Sequence, residues 1–455
     1  MATKKIACIG SGSLHFAGVI ANLVSRAELA GSEIVLYDLV QDKSERMAAM
    51  GRRLTDQAGH GLTVRAAGDI TDTLDGADFV LTSIGGSGGT AISVYGSYYH
   101  RADMHISTKY GLVQVIGDTG GPAGMMMGLR AIPAYVDLCR QMESYCPRAI
   151  LLNHTNPMAP ICRAMRKYSS IHTVGICHGV QNTIQRIAEL LDRPPSELDC
   201  KWVGTNHYYW FLKVVHRGQD LTEELFAKVT TIPQDEDDVL WRELSAAYGV
   251  VVGIPGGNHL IEFYPWATRV RSQGDQPEYL ADCARRHGFK ESDPFPTRDD
   301  ASDEDRAKWA KMYTDALDGA ALPDRSAGRS FGEEPIDDMI VAVAEGRREV
   351  FVLNLPNEGV FPNLPLDALV EVEAVSDSTG FRGLTVGDCP PVLKGMLEKR
   401  FAWQERVADA GANGDRKSAL QAMLLDEMAL SPAQNEALLE ELLEASRDRL
   451  PQFFS

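Results

Sequence analysis

Lys5-Ile6-Ala7-Cys8-Ile9-Gly10-Ser11-Gly12-Ser13 opens on an apolar run and closes on two glycines one residue apart. A helix-compatible stretch, Phe16 to Leu29, follows, and a second apolar run, Glu33 to Tyr37, stops at Asp38. Strand, glycine turn, helix and strand in this order make a βαβ unit. Its glycines let the backbone turn tightly and approach a pyrophosphate at the positive end of the helix. Gly10, Gly12 and Ser13 are the expected phosphate-facing residues. Asp38 stands where a carboxylate accepts both hydroxyls of an adenine ribose, which favours NAD over NADP because the extra phosphate of NADP would be repelled. The third glycine of the usual pattern is replaced by His15, so the flanking strands and Asp38 carry the reading more than the glycines do.

Further apolar runs at Phe79 to Ile84, Leu112 to Ile116, Ala149 to Leu152 and His172 to Ile176 alternate with helical periods. The expected fold is α/β, with a doubly wound, Rossmann-like sheet over residues 1–200. Ile84-Gly85-Gly86-Ser87-Gly88-Gly89 follows one of these strands, and Gly85 either lets the chain close over a dinucleotide or opens a surface loop. Residues 201–455 read as a mixed α+β region for substrate, metal and subunit contacts. It starts with the aromatic segment Trp202 to Phe211, extended by Leu212 to His216. An acidic loop (232–238) and a polar stretch (271–308) are expected at the surface. The helices of 391–450 carry apolar residues at intervals of three and four, such as Leu420, Leu424 and Met428, then Leu438, Leu439, Leu442 and Leu443.

The 455 residues, 44% of them hydrophobic, exclude a disulfide-stapled miniprotein or a disordered chain. With 45 Lys and Arg against 63 Asp and Glu, the net charge of −18 gives no reason to expect nucleic acid or an anionic membrane as partner. Eight scattered cysteines without paired spacing suit a reducing compartment. No apolar run reaches the roughly 20 residues that span a bilayer, and no secretory segment precedes the first strand, so a cytoplasmic location is expected.

Several polar groups follow the expected strands, where an open α/β sheet presents its ligands. Asp118-Thr119-Gly120-Gly121-Pro122 offers either a general acid of raised pKa or a cap for the next helix. In Asn153-His154-Thr155-Asn156-Pro157, the amides either hold sugar hydroxyls or a nicotinamide edge, or close an Asx turn. Cys177-His178-Gly179 and Asn206-His207 end two further segments. Cys177 and His207 are either core residues or a thiolate and an imidazole for a divalent ion whose remaining positions a substrate completes.

Taken in order, the glycine turn at Gly10, Asp118-Thr119-x-Gly121, Asn153-x-x-Asn156-Pro157, Gly175-x-Cys177-His178, Asn206-His207 and Asn354-x-x-Asn357-x-Gly359 to Asn363-Leu364-Pro365 resemble glycoside hydrolase family 4 over residues 4 to 440. The resemblance implies a fold like lactate and malate dehydrogenases, a homo-oligomer, NAD, and a divalent metal, typically manganese. It also implies an exception to the two-carboxylate scheme of ordinary glycosidases. Hydride leaves C3 of the sugar, a base takes the acidified C2 proton, the C1 oxygen departs, water adds and the hydride returns. Carried onto this chain, Cys177 and His207 become metal ligands, Asn153 a substrate or cofactor contact and Asp118 the acid that assists the leaving group. His178 in place of Asn or Asp resembles enzymes for unphosphorylated sugars, and Cys177-His178-Gly179 looks like the uronidase group. The expected substrate is therefore an α-hexuronide, a glucuronide or galacturonide, with a neutral α-glucoside or α-galactoside as the alternative. Where many relatives have Gly-Asp-x-His, this chain reads Gly256-Gly257-Asn258-His259, so the acid position is held by Gly257. Tyr248 is the candidate base, and His259 a candidate ligand or sugar contact that Glu262 either orients or leaves for a surface pair. Two other readings share the cofactor fold: a 2-hydroxy-acid dehydrogenase, which gives no reason for the Cys177 and His207 pair, and a non-catalytic dinucleotide-binding protein.

Overall fold

A computed structural model describes residues 3–85, 97–114, 116–233, 239–254, 259–264, 294–296, 303–324 and 334–454. Its strands are β1 (Lys5–Ile9), β2 (Glu33–Tyr37), β3 (Thr63–Ala66), β4 (Phe79–Thr82), β5 (Ile150–Asn153), β6 (His172–Gly175), β7 (Leu198–Thr205), β8 (Tyr208–His216), β9 (Gln219–Asp220), β10 (Val251–Val252), β11 (Val350–Pro356), β12 (Leu369–Asp377) and β13 (Gly380–Gly383). Nine of them form one sheet in the order β13-β12-β11-β6-β5-β4-β1-β2-β3. The six from β3 to β6 run parallel, in the doubly wound order 3-2-1-4-5-6. Every residue of β4 and β5 is buried, as continuous apolar runs require when helices cover both faces of a sheet.

The sheet is not confined to the first 200 residues. β11 joins the edge of β6 antiparallel, with Asn354 opposite Gly175, and β12 and β13 continue outward. A second, smaller sheet, β10-β8-β7 with β9 on β8, stands beside it. The aromatic segment from Trp202 is the hairpin β7–β8, whose two-residue turn, Asn206-His207, falls where a segment end is expected.

The strand expected at Leu112 to Ile116 is absent: Leu112, Val113, Gln114 and Ile116 join no ladder, and Val115 lies outside the described residues. Glycines of positive φ, Gly111 and Gly117, bracket the run. Its backbone is claimed by side chains instead: Ile116 and Gly117 donate N–H groups to Glu262 at 3.1 and 2.8 Å, and the Ile116 carbonyl lies 2.8 Å from His100 Nε2. A short apolar run reads alike as a strand or as a buried loop. Of the expected surface stretches, 234–238, 271–293 and 297–302 lie outside the described residues, and a helix, Asp303–Asp318, covers the end of the second.

The 25-residue helix Gly121–Tyr145 is mostly buried. The C-terminal helices Pro391–Asn413, Arg416–Leu425 and Pro432–Ala445 pack with it in one apolar core, in which Leu438, Leu439, Leu442 and Leu443 are buried. Leu424, expected on the same apolar stripe, is instead 40% exposed. Arg130 on the long helix donates to Asp103 Oδ2 at 2.6 Å and to Ser446 Oγ at 3.0 Å, tying the chain end to the helix Tyr98–Lys109 through a buried ion pair. No helix among the described residues is long and apolar enough to cross a membrane.

Candidate active site

β1 and β4 are paired neighbours at the point where the strand order reverses, and there a cleft of about 900 Å³ opens at their C-terminal ends. Gly10 turns the chain out of β1 with φ of +80°, donating, together with Ser11, to the Tyr37 carbonyl at 2.9 and 3.1 Å. A methyl group on Gly10 would lie 2.4 Å from the Ser83 carbonyl oxygen, so the turn admits no side chain. Asp38 accepts the Gly12 N–H at 2.9 Å with one oxygen and the Val40 N–H at 2.8 Å with the other. Ser83 Oγ lies 3.1 Å from Ser13 Oγ. Gly10, Gly12, Ser13, Asp38 and Gly85 all line the cleft, while Gly86 to Gly89 lie outside the described residues. A bare, tightly turned backbone at a helix start, with a carboxylate on the next strand, fits a dinucleotide.

Cys177 follows β6, and His207 is the second residue of the β7–β8 turn, held at φ of +62°, a conformation histidine tolerates better than bulkier residues. The two side chains belong to different sheets and meet with Sγ 3.3 Å from Nε2. Two ligands sharing one ion at bonds of about 2.3 Å to sulfur and 2.1 Å to nitrogen stand roughly 3.1–3.6 Å apart, so the pair fits a divalent cation. Burial, reinforced by His259, lowers His207 to about 3, so its imidazole is neutral, the ligating form. Burial and Glu371 raise the Cys177 thiol well above its ordinary value, and only a cation would make a thiolate stable there.

Asp118 lies under this pair. It does not cap the following helix, whose N-cap is Gly120. Its Oδ2 accepts from Asn156 Nδ2 at 2.8 Å and its Oδ1 is 3.3 Å from His259 Nδ1. The expected raised pKa is reversed. Burial pushes the carboxyl up, but His259, His207 and Asn156 together hold it well below the carboxylate range. Burial lowers His259 and Asp118 more than compensates, so the imidazole is raised. The proton of this pair therefore sits on His259, whose ring meets His207 edge-on at 4.5 Å.

Asn153 is wholly buried and its amide closes an Asx turn, accepting from Thr155 N at 3.0 Å and donating to the Thr155 carbonyl at 3.1 Å. Asn156, the residue after that turn, lines the cleft instead. Tyr248, the candidate base, packs among aromatic side chains. It ends the helix Val239–Tyr248, edge-on to Trp210 and tilted against Tyr264, and burial raises its phenol pKa, the wrong direction for a base at neutral pH. Gly257 lies outside the described residues. Glu262 makes no surface pair, being 1% exposed and bonded to the Ile116 and Gly117 amides.

Glu334, which the sequence did not single out, lies 3.3 Å from His178 Nδ1 and 3.1 Å from His154 Nδ1. Its only sequence signal is an acid two residues before the helix Ile336–Glu345, which reads as helix-end decoration. Asn156 lies in the Asn153-x-x-Asn156-Pro157 motif, but nothing in the motif says which of its two amides faces the cleft.

The family 4 glycosyl hydrolase model matches residues 5–193, and the model of that family's C-terminal domain matches residues 202–429. The chain belongs to family 4 of the glycosyl hydrolases. This glycosyl hydrolase is 28% identical to an alpha-galactosidase of Bacillus subtilis over 99% of its own length and 100% of the relative's. It is 28% identical to an alpha-galacturonidase of the same organism over 97% of each chain. A 6-phospho-alpha-glucosidase from gut microorganisms, solved in complex with NAD and Mn²⁺, matches at a TM-score of 0.76 and 21% identity over 99% of this chain and 100% of that one. The malate dehydrogenase of Cryptosporidium parvum shares the fold at a TM-score of 0.51 and 13% identity, over 90% and 98%. The fold and the family expected from the motifs are thus both found.

Proposed function

We propose that this family 4 hydrolase cleaves an unphosphorylated α-hexuronide with NAD in the cleft beside β1 and a divalent cation, manganese in the first place, on Cys177 and His207. The observation that carries the reading is the 3.3 Å approach of Cys177 Sγ to His207 Nε2, with His178 directly after the cysteine and half exposed. A relative named alpha-galacturonidase matches end to end, which supports a uronide. Bound NAD supplies a hydride acceptor and donor, and the cation a Lewis acid toward sugar oxygens.

The chain's own residues supply the leaving-group proton and the contacts that position it. His259 holds a proton beside the Cys177 and His207 pair and donates it to the departing oxygen. Asp118, itself buried, keeps that imidazole charged and is a positioning residue. Asn156 fixes Asp118 and presents the cleft side of the same turn. His178 is held protonated more readily than a free histidine, through its hydrogen bond to Glu334 and despite its partial burial, so it offers a cation to a sugar carboxylate.

A neutral α-galactoside is the second reading, and one contact favours it: the Glu334 carboxylate beside His178 would repel a uronate. The end-to-end match to an alpha-galactosidase points the same way. The test is a panel of nitrophenyl α-galacturonide, α-glucuronide, α-galactoside and α-glucoside with NAD, Mn²⁺ and a reductant. Release from a uronide alone supports the first reading, and release from the galactoside alone replaces it with the second. Turnover unaffected by removing NAD refutes the redox mechanism in both.

A further inference from the structure

Three side chains outside the Cys177 and His207 pair converge on the cleft from separate parts of the chain. His15 opens the helix His15–Val24 just after the glycine turn, His154 follows β5, and Glu334 precedes the helix Ile336–Glu345. One ligand atom from each lies within 4.8 Å of the other two. His154 Nδ1 is 3.1 Å from Glu334 Oε2, His15 Nε2 is 4.0 Å from the same oxygen, and the two imidazole rings are 4.5 Å apart.

The histidines are under-used for such buried groups. The His154 side chain is only 5% exposed, and neither of its ring nitrogens has a hydrogen-bond partner of good geometry among the described residues. His15 Nε2 is buried in the same condition. A buried polar atom left so costs about 1–3 kcal/mol, a cost that a ligand on those nitrogens would remove. Ligands on one ion at about 2.0–2.2 Å stand roughly 3–3.5 Å apart, so closing the trio needs His15 to move by about half an ångström toward Glu334 and by up to roughly 1–2 Å to bring all three within range. Two imidazoles and a carboxylate, without sulfur, suit zinc and its first-row neighbours. The other Glu334 oxygen lies 3.3 Å from His178 Nδ1, the kind of outer contact that orients a ligating carboxylate. Both histidines line the cleft proposed for NAD, so the remaining coordination positions face the space that the dinucleotide would share.

The geometry points to a second divalent-cation site, formed by His15, His154 and Glu334, that shares no residue with the Cys177 and His207 pair. It does not depend on the glycosidase reading, because its readout is cation binding rather than turnover.

The test uses the full chain carrying Cys177→Ser and His207→Ala, stripped with chelator and titrated with Zn²⁺ and with Co²⁺. The site predicts about one retained equivalent of Zn²⁺, and a Co²⁺ spectrum with visible bands but no thiolate charge-transfer band. Adding Glu334→Gln or His15→Asn should weaken that binding by at least about tenfold. Failure of the double variant to retain Zn²⁺ overturns the site, as does a Co²⁺ spectrum unchanged by His15→Asn. His15 is about a third exposed, so His15→Asn, checked by circular dichroism, decides the matter even where a change at the more buried His154 unfolds the chain.

Discussion

Gly10→Ala separates two costs that a glycine position can carry, and the fold supplies its own control. Gly10 has φ of +80°, and a Cβ there would stand 2.4 Å from the Ser83 carbonyl oxygen, a backbone atom of the strand end beside it. Gly59, which ends the helix Gln41–Ala58, has φ of +70° and nothing within 4 Å of its Cβ position. Both substitutions bear the left-handed penalty of about 1–2 kcal/mol for a residue with a side chain. Only Gly10→Ala must also push apart two packed strand ends, at about 1–3 kcal/mol for such overfilling. Gly10→Ala should therefore cost about 2 kcal/mol more than Gly59→Ala. Urea unfolding followed by fluorescence of the six tryptophans gives the difference, and calorimetric titration with NAD gives the second readout. NAD affinity should fall with Gly10→Ala, because the Ser11 and Gly12 amides move with the turn, and stay near wild type with Gly59→Ala. Equal destabilisation of the two variants, within about 0.5 kcal/mol, would refute the close approach at Ser83.

Cys177→Ser should weaken Mn²⁺ binding by at least about tenfold and abolish glycoside turnover, read by electron paramagnetic titration and the nitrophenyl assay; undiminished Mn²⁺ affinity removes Cys177 from the ligand set. Asp103→Ala leaves the guanidinium of Arg130, 2% exposed, without its carboxylate and should cost about 3–5 kcal/mol in urea unfolding. A loss below about 1 kcal/mol would mean the ion pair is solvated or relaxed away. Glu262 gives a pH dependence. Burial first, then Asp118, raise its carboxyl from 4.5 to about 7 against the pull of the Gly117 and Ile116 amides. The folded state binds this proton more tightly than the unfolded chain, so the contribution is fully present below about pH 4.5 and is lost as pH rises through about 7, by up to about 3 kcal/mol. Glu262→Gln should flatten the fall in stability between those pH values, and a slope identical to wild type in urea unfolding would contradict the assignment.

The half of the sheet that could be read from the chain is the half built from local pattern. β1, β2, β4, β5 and β6 announce themselves as apolar runs closed by glycine or polar turns, and their parallel order follows from the helices between them. Glu349 to Leu353 is likewise strand-like in the sequence, but the place of β11 to β13 in the sheet is not legible there, because antiparallel addition to β6 depends on pairing over more than 170 residues of chain, and no local signal sets that register. The pair Asn206-His207 is legible as the end of an apolar segment, but not as a hairpin turn. A two-residue hairpin usually shows itself by glycine, and here a histidine takes the left-handed position within a continuous aromatic run.

The site shows the same division, and Glu371 explains how its parts hold register. Cys177 and His207 come from different sheets, so something must fix one sheet against the other. Glu371, fully buried on β12, accepts Asn354 Nδ2 at 3.0 Å, and Asn354 is the residue of β11 paired with Gly175, two before Cys177. Its backbone carbonyl takes Trp202 Nε1 from β7 at 2.7 Å. Burial pushes the Glu371 carboxyl up to about 7, against the pull of Asn354, Asn206 and the His207 backbone. One buried acid thus connects the strand before the cysteine to the turn that carries the histidine. The late asparagines make sense on the same terms. Asn354 serves this bridge, while Asn357 accepts Phe361 N at 2.8 Å and donates to the Phe361 and Leu364 carbonyls at 2.9 and 3.0 Å, closing the loop between β11 and β12. A polar residue in an apolar strand is expensive, the more so here because Asn354 Oδ1 and Glu371 Oε2 have no hydrogen-bond partner of good geometry among the described residues. Its position therefore marks where two elements must stay aligned, and here that alignment sets the 3.3 Å between Cys177 and His207.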